Sequence, residues 1–259
     1  MSPAGGSTRS HEMAAALDML PTRLAAELPA VTREQMREVD RLMIEEYGIR
    51  LLQMMENAGL NLADLVRRYL GPPLAGRRVA VLAGRGNNGG GGLIAARRLS
   101  AWGADVQVVL SAAAEEFEDT AALQLGIIER MSIPVRRFDG ALPRHEILID
   151  ALIGYSLAGA PRGLPRALIA IANESPAPVI SLDVPSGLDV DSGEALGEAV
   201  GAAATVTLAL PKVGLLHPKA RPYVGQLYLA DISVPPDLYP RLGLSVPPLF
   251  DESPLIRLA

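Results

Sequence analysis

The chain has 259 residues, of which 49% are hydrophobic and 20% charged, and its formal net charge is −5 at pH 7. This balance allows a substantial core, while the negative charge without long basic runs argues against a nucleic-acid partner. The chain contains no cysteine, which excludes disulfides, thiolate metal sites and cysteine nucleophiles. Its apolar stretches fall short of the roughly 20 residues of a membrane span, so we expect a cytoplasmic protein without a membrane partner.

The N-terminal part predicts a short extension followed by two helices. Residues 1–12 are small and polar and are expected to be flexible, while residues 13–30 carry an apolar face that fits a helix but lack the basic start of a signal peptide. Thr32 and Gln35 have capping-box spacing, which predicts a helix through Tyr47. A second helix is predicted over residues 51–70.

The central part alternates between short apolar runs and helical patterns. The predicted helices cover residues 90–102, 115–131 and 164–173, and the predicted strands cover 79–83, 106–110, 135–138, 147–150, 179–183, 205–210 and 226–230. Such alternation is typical of a parallel sheet with helices on both faces. The carboxyl ends of its strands would gather three loops, 84–92, 151–163 and 184–193, at the edge where ligands bind. The proline-rich tail after residue 235 is expected to lie over the surface.

The stretch "VLAGRGNNGGGGLIAARRL", residues 81–99, holds the clearest motif. Gly84, Gly86 and Gly89 form G-x-G-x-x-G between a predicted strand and a predicted helix, which indicates phosphate or nucleotide binding. The next strand ends in Leu110 and Ser111 rather than in the acid of an ordinary NAD site. The motif also lacks the Lys-Ser or Lys-Thr of a Walker A loop.

Two aspartates end neighbouring apolar strands. Asp150 is either a cap for the following loop or a ligand in the crevice, and Asp183, in "SLDVPSGLDVDSG", is a candidate general base. Ser186 lies in no nucleophile elbow and has no suitable histidine nearby, so a nucleophilic role is not expected. The Asn88 amide, the Asp150 carboxylate and the Ser186 hydroxyl would suit a weakly held monovalent cation, although such groups often only cap loops.

Other polar residues receive plainer interpretations. Asp189 and Asp191 are interpreted as solvated turn residues, and His217 as structural. Lys212 either contacts a phosphate, ties down a loop or lies on the surface.

Seven segments, in this order, resemble the YjeF N-terminal domain family, the NAD(P)H-hydrate epimerases. They are "VTREQMREVDRLMIEEYGI", "MMENAG", "GRGNNGGGGLIAARRL", "DALIGYSL…RG", "DVPSGLDVDSG", "LPKVGLL" and "GQLYLADISVP", and they span residues 31–235. The double-asparagine glycine loop and the Asp-x-Pro-Ser-Gly turn are the most specific of them.

The resemblance implies a three-layer αβα Rossmann-like sandwich with a mostly parallel central sheet and N-terminal helices, usually dimeric. It implies an isomerase that interconverts the R and S hydrates of NADH and NADPH, with one K⁺ ion held by Asn88, Asp150 and Ser186. Asp183 is the candidate catalytic residue, shuttling a proton while the C–O bond beside the ring nitrogen breaks and reforms. The substrate-binding residues implied are Asn87, Asn88, Gly89, Gly90, Gly91, Gly154, Tyr155, Ser156, Leu157, Ala158, Gly159, Ala160 and Asp183.

The sequence departs from the family pattern at Gly91, where the family usually has an aspartate, and in "GYSLAGAPRG". The alternatives are therefore a catalytically weakened member that binds a nucleotide-like ligand or a protein partner, and an isomerase or cyclase of another metabolite. We expect an extension over residues 1–30, an epimerase domain over 31–240 and a tail over 241–259. The resemblance also implies that the kinase-like dehydratase domain of many bacterial relatives does not fit in this chain, which then acts alone, comes from a longer protein or works with a separate dehydratase as its partner.

Overall fold

The computed structural model describes residues 17–259, which form a sheet of nine strands with helices on both faces. The strands in chain order are β1 (Thr22–Arg23), β2 (Arg78–Ala83), β3 (Asp105–Leu110), β4 (Val135–Arg137), β5 (Ile147–Ala151), β6 (Val179–Leu182), β7 (Ala204–Leu208), β8 (Gln226–Ala230) and β9 (Leu255–Leu258). The helices are α1 (Arg33–Glu45), α2 (Leu51–Leu70), α3 (Asn87–Ala101), α4 (Asp119–Arg130), α5 (Gly163–Asn173) and the single-turn α6 (Arg221–Val224). Short 3₁₀ turns connect several of them.

The strand order is β1-β9-β8-β7-β6-β5-β2-β3-β4, and the β8–β9 pair alone is antiparallel in this sheet. The chain runs outward from β2 to β3 and β4 on one side and returns to β5 on the other side. The sheet therefore reverses its winding between β2 and β5, which is the place where open α/β sheets bind ligands.

Three hydrophobic clusters pack against the sheet, one on one face and two on the other. Helices α2, α3 and α4 pack on one face, against the inward side chains of β2 such as Val79 and Val81. On the other face, α5 packs against Ala80 and Leu82, and α1 packs with β8 through Leu229. The expected three-layer α/β architecture with a mostly parallel sheet is thus confirmed.

The two N-terminal helices follow the sequence closely. Thr32 and Gln35 form the predicted capping box, with the Gln35 N–H donating to Thr32 Oγ1 at 3.2 Å and the Thr32 N–H donating to Gln35 Oε1 at 2.9 Å. Helix α1 ends at Glu45, slightly before the predicted end. Helix α2 has the predicted bounds.

The ends of the described chain differ from expectation. The helix predicted over residues 13–30 begins outside the described residues, and beyond Asp18 it is wrong, because Pro21 cannot donate a helical hydrogen bond and the chain turns into β1. The tail predicted to lie over the surface after residue 235 is also wrong in part. Its last residues form β9, whose Leu255 and Ile256 are buried between β1 and β8.

Two helix bounds also change. The helix predicted over residues 115–131 is split, because a 3₁₀ turn over Ala114–Glu116 precedes α4 and Phe117 lies buried between them. Helix α3 begins at Asn87 rather than at residue 90, so the four consecutive glycines belong to its first turns. Among the described residues, no helix combines the length and the apolarity that crossing a membrane requires.

Candidate active site

A cleft of about 790 Å³ opens at the carboxyl edge of the sheet. Its walls come from the segment that joins β2 to α3, from the loop after β5 and from the end of β6, with α1 and α2 closing one side. Two of the three loops that the sequence predicted at this edge, 84–92 and 151–163, line the cleft, whereas loop 184–193 does not and the lining takes Leu182 and Asp183 just before it. The cleft therefore lies at the reversal point of the sheet.

The glycine-rich segment forms its wall by close packing rather than by unusual backbone angles. A Cβ on Gly84 would lie 1.9 Å from the Leu152 carbonyl oxygen, and one on Gly89 would lie 1.6 Å from the Gly84 carbonyl oxygen. Neither glycine is among the residues with positive φ. The glycines thus let α3 begin directly against the loop after β5. Its N-cap, Gly86, has no side chain to cap the first turn, and the free N–H groups of such a turn favour anions.

Asp183 is held in the cleft by a buried lysine. It has a positive φ of 65° at the end of β6, and only 3% of its surface is exposed. Lys212 Nζ lies 2.7 Å from Asp183 Oδ1 and also donates to the Leu208 carbonyl oxygen at 2.9 Å. Lys212 itself is 0% exposed, so the surface alternative for this residue is wrong.

Tyr155 connects Asp183 to helix α1. Its backbone N–H donates to Asp183 Oδ2 at 2.9 Å, and its hydroxyl donates to Asp40 Oδ2 at 2.6 Å. Burial raises the pKa of the partly buried Asp40 carboxyl, against the opposing effects of the Tyr155 hydrogen bond and of the Lys212 charge. Burial and the neighbouring Asp40 charge also raise the pKa of the Tyr155 hydroxyl.

Asp150 lies beneath the cleft and is completely enclosed. Its Oδ1 accepts from Ser186 Oγ at 2.6 Å and from the Leu152 N–H at 3.2 Å, and its Oδ2 accepts from Ser181 Oγ at 2.8 Å and from the Ser186 N–H at 2.9 Å. Burial raises the pKa of this carboxyl. Among the described residues it forms no ion pair with an arginine, lysine or histidine, and all its hydrogen bonds come from neutral groups.

Asn88 and Ser186 complete the set of oxygen atoms that the sequence singled out. Asn88 Nδ2 is buried without a hydrogen-bond partner in the described part of the chain. Asn88 Oδ1 and Asp183 Oδ2 both lie beside Gly154, at 3.2 Å and 2.9 Å from the position of an added Cβ. The Ser186 hydroxyl also accepts from the Ile153 N–H at 2.9 Å. The structure thus brings Asp150 and Ser186 into direct contact, while Asn88 Oδ1 lies beside Gly154 in the loop after β5.

Most of the implied substrate contacts line the cleft, but several do not. Those in its wall are Asn87, Asn88, Gly91, Gly154, Tyr155, Ser156 and Asp183, and those outside it are Gly89, Gly90, Leu157, Ala158, Gly159 and Ala160. Gly89 packs on Gly84, and a Cβ on Gly90 would lie 2.6 Å from Met55 Sδ. Both glycines therefore serve helix packing in this structure.

Sequence reasoning missed Asp40 and left Lys212 undecided. A signal for Asp40 was present, because it lies four residues after Met36 and three before Met43, on the apolar face of α1. A carboxyl on that face needs a polar partner. Lys212 had only its rarity as a signal, since Lys219 is the other lysine of the chain.

Asp191 and His217 agree with their plainer interpretations, but Asp189 does so only in part, because its side chain is 16% exposed and pairs with Arg33. Asp189 accepts from the Ser192 N–H at 2.9 Å within its turn, and its neighbour Asp191 accepts from the Arg33 N–H at 2.8 Å. His217 Nδ1 accepts from the Lys219 N–H at 3.2 Å, outside the cleft.

Comparisons with known proteins agree on one family. A family model described as YjeF-related protein N-terminus matches residues 51–214. The chain is 46% identical over 217 residues to an NAD(P)H-hydrate epimerase of Dehalogenimonas lykanthroporepellens, covering 83% of this chain and 86% of the relative. It is 36% identical to an NAD(P)H-hydrate epimerase of Lentilactobacillus buchneri, covering 79% of this chain and 94% of the relative.

Two further matches concern a longer protein and a solved structure. The chain is 37% identical to a bifunctional NAD(P)H-hydrate repair enzyme Nnr of Moorella thermoacetica, and the match covers 80% of this chain but 41% of that protein. The crystal structure of yeast ynu0, YNL200c, is similar with a TM-score of 0.78 at 25% identity, covering 89% of this chain and 100% of the yeast chain.

Proposed function

The chain belongs to the family of YjeF-related protein N-termini, and on that premise we propose that it is an NAD(P)H-hydrate epimerase, an isomerase that interconverts the R and S hydrates of NADH and NADPH. The observation that carries the proposal is the Asp183–Lys212 ion pair, buried in the cleft at the reversal point of the sheet. It gives the site a carboxylate in a water-poor environment, which suits proton transfer.

The chemistry needs little more than proton transfer. In the hydrate, the reacting carbon carries a hydroxyl beside the ring nitrogen, and the lone pair of that nitrogen helps the C–O bond to break. The hydroxyl takes up a proton and leaves as water, and a second water adds to the other face and loses a proton. Asp183 accepts or returns one of these protons, while Lys212 balances its charge throughout.

The phosphates of the substrate would lie at the start of α3. The helix presents free backbone N–H groups there, next to Asn87 and Asn88, and its dipole favours negative charge. Arg85, Arg137 and Arg162 line the cleft and are exposed, so they add positive charge to its rim. The acidic interior and the basic rim match a ligand with a neutral ring at one end and phosphates further along.

The residues present fit a K⁺ ion. Asp150 is a buried carboxylate without a cationic partner among the described residues, and a bound cation would supply the missing charge. One carboxylate with the neutral oxygens of Asn88 and Ser186 suits a monovalent ion better than a divalent one. No group of three or more acidic, histidine or cysteine side chains placed to hold a metal occurs among the described residues. When bound, K⁺ would contribute electrostatic stabilisation and would fix the loop after β5.

We also propose that a dehydrating enzyme or domain acts together with this epimerase. The chain spans about two fifths of the bifunctional repair enzyme from Moorella, which supports a second, dehydrating activity that acts on the product of the epimerase. A homodimer remains a prediction from the family resemblance, and a cytoplasmic location remains a prediction from the sequence.

The test is direct. The purified chain is incubated with the R hydrate of NADH, and the R and S forms are separated by chromatography against an enzyme-free control. We expect epimerisation well above the spontaneous rate. A time course identical to the control, with and without KCl, would rule out the epimerase.

Gly91 favours one second candidate, a weakened member of the family that only binds the ligand. Gly91 lines the cleft where the family pattern has an aspartate. In that case the wild type would bind the hydrate without turning it over, and Gly91→Asp would gain activity.

A further inference from the structure

We propose that Asp40 is a second proton-transferring carboxyl of the site, held in place by Tyr155 and working opposite Asp183 on the same reacting carbon. This inference rests on the proposed function and deepens it. It assigns a catalytic role to a residue of helix α1. That helix lies outside the glycine-rich segment and the strand ends that carry Asp150 and Asp183.

The cleft contains two carboxyl groups, the buried Asp183 and the partly buried Asp40. Asp40 and Asp183 both line it, and they are separated by the length of a tyrosine, because Tyr155 binds Asp183 through its backbone N–H and Asp40 through its hydroxyl. Glu116, the other acidic residue of the lining, lies on the exposed rim beside Arg85. Two carboxyls that flank one reacting bond are a common way to handle protons on both of its faces.

Asp40 has an oxygen available for this work. Its Oδ2 accepts from the Tyr155 hydroxyl at 2.6 Å, whereas Oδ1 has no hydrogen bond to any described residue. Both oxygens of Asp183 are already engaged, by Lys212 and by the Tyr155 N–H. The two carboxyls are therefore unequal, and the pair is suited to opposite tasks.

The backbone fixes Asp40 relative to the other partner of Asp183. Just before α1, the Val31 N–H donates to the Pro211 carbonyl oxygen at 2.9 Å, and the Val213 N–H donates to the Val31 carbonyl oxygen at 3.1 Å. The start of α1 is thus joined to the segment that carries Lys212. A helix anchored in this way would hold Asp40 steadily beside the cleft.

Epimerisation at one carbon requires a proton transfer on each of the two faces of the ring. On one face, Asp40 gives its proton to the hydroxyl as the C–O bond breaks, and water leaves. On the other face, water forms the new C–O bond and gives its proton to Asp183. Atoms and charges balance, and the enzyme is left with Asp183 protonated and Asp40 ionised. That is the form required for the reverse conversion, and exchange with solvent restores the first form.

The charged groups around Asp40 determine how it titrates. Burial favours its neutral form, Asp183 acts in the same direction, and the Tyr155 hydrogen bond and Lys212 oppose it. Arg37, on the same helix, acts on the Tyr155 hydroxyl. Removing the Tyr155 hydroxyl should therefore move the titration of Asp40 to higher pH.

The experiment compares the epimerase activities of the wild type, Asp40→Asn, Tyr155→Phe and Glu38→Gln over pH. Glu38→Gln is the matched control, because it makes the same change on α1 in a side chain that pairs with Arg41 away from the cleft. We expect Asp40→Asn to lower kcat by about 10²–10⁴-fold with little change in KM. It should also abolish the fall of kcat at high pH. Tyr155→Phe should keep that fall but shift it to higher pH, and Glu38→Gln should match the wild type.

The outcomes separate the two proposals. If the wild type is inactive, the proposed function fails, and this inference fails with it. If the wild type is active and Asp40→Asn keeps kcat within about twofold, or loses activity while keeping the wild-type pH profile, the role of Asp40 is overturned and the epimerase stands. Thermal unfolding of each variant shows whether a loss of activity is caused by misfolding. If Asp40→Asn is misfolded, Tyr155→Phe tests the role of Asp40 instead, because it retains the backbone N–H. An unshifted fall of kcat in Tyr155→Phe would then overturn that role.

Discussion

Asp150 and Asp183 end neighbouring strands at the same edge of the sheet, and both are buried, yet their surroundings differ. Asp183 is paired with a lysine that belongs to the protein and faces the cleft. Asp150 lies below the cleft, surrounded by neutral donors, without a cationic partner in the described chain. The difference teaches that position at a strand end does not fix the role of a carboxylate. The source of the compensating charge does, and for Asp150 the proposed source is a bound K⁺ ion rather than a side chain of the described residues.

The largest effect should come from Asp183→Asn. The amide cannot take up a proton, so we expect kcat for epimerisation to fall by about 10²–10⁴-fold. Chromatographic separation of the R and S hydrates measures the loss. Asp251→Asn is the matched control, since Asp251 is exposed and pairs with Arg23 outside the cleft lining. Full activity in Asp183→Asn would show that the comparison assigns chemistry to the wrong strand end.

Lys212→Met tests how much the lysine paired with Asp183 contributes to the free energy of unfolding. Removing one partner of a buried pair leaves an uncompensated charge, which costs about 3–5 kcal/mol. Denaturant unfolding should show this loss, and the double variant Lys212→Met/Asp183→Asn should recover much of it. Lys219→Met is the control, because Lys219 is the other lysine and pairs with Glu194 at the surface. A double variant no more stable than Lys212→Met alone would contradict the pairing.

Replacing K⁺ tests the external cation. In KCl, the wild type should be more stable to heat than in N-methylglucamine chloride of equal ionic strength, by about 2.7 kcal/mol if K⁺ is present at 100 times its Kd. Asp150→Asn should abolish this difference, whereas Asp183→Asn should retain it. An equal stabilisation by K⁺ in the wild type and in Asp150→Asn would show that K⁺ does not bind at Asp150.

A fourth test compares how closely helix α3 packs on the two strand ends, through the loss of stability when Gly91 or Gly92 is replaced by alanine. A Cβ on Gly92 would lie 2.5 Å from the Cβ of Ala151, next to Asp150, and a Cβ on Gly91 would lie 2.7 Å from Leu182 Cδ2, next to Asp183. A strand Cβ cannot rotate away, but the end of a leucine can. Within the roughly 1–3 kcal/mol range of overpacking, we therefore expect Gly92→Ala near the top and Gly91→Ala near the bottom.

Gly126→Ala is the control for this pair. Gly126 lies in α4, and a Cβ there would meet Arg130 Nη1 at an ordinary 3.6 Å, so the change should stabilise the protein by about 0.5–1 kcal/mol. Urea unfolding measures all three variants. Equal losses at positions 91 and 92 would mean that the two strand ends accommodate the helix in the same way.

Asp40 adds a pH test of smaller size. Its pKa is raised above the ordinary 3.8 by burial, so the folded state holds the proton more tightly than the unfolded state. The stability contributed by the neutral form is complete below 3.8 and is lost as pH rises through the folded pKa. Relative to Asp40→Asn, the wild type should therefore become less stable as pH rises across that window. Unfolding curves with a pH-independent difference would contradict the shift.

Much of the fold could be predicted from sequence, because buried parallel strands are short apolar runs and their alternation with helical patterns fixes the layers. The bounds at the glycines could not, since Gly89–Gly92 have low helix propensity and become helical through packing on Gly84, Ala151 and Leu182. β9 was missed because it is short and follows a proline-rich stretch.

The candidate site was predictable where its residues follow strands, as Asp150 and Asp183 do. Asp40 and Lys212 come from elements far away in sequence, and only tertiary packing brings them to Asp183. The ligand roles assigned to Asn88, Asp150 and Ser186, and the contacts assigned to residues 157–160, remain predictions.

The position of β9 has a consequence for how the chain folds. β8 would pair with β7 and leave its other edge open until residues 255–258 emerge from the ribosome, and β1, made first, must wait for the same strand before it pairs with any other. Contacts so distant in sequence slow folding, and an open parallel edge invites pairing with other chains. A nascent or truncated chain that lacks β9 should therefore be the form most prone to aggregation.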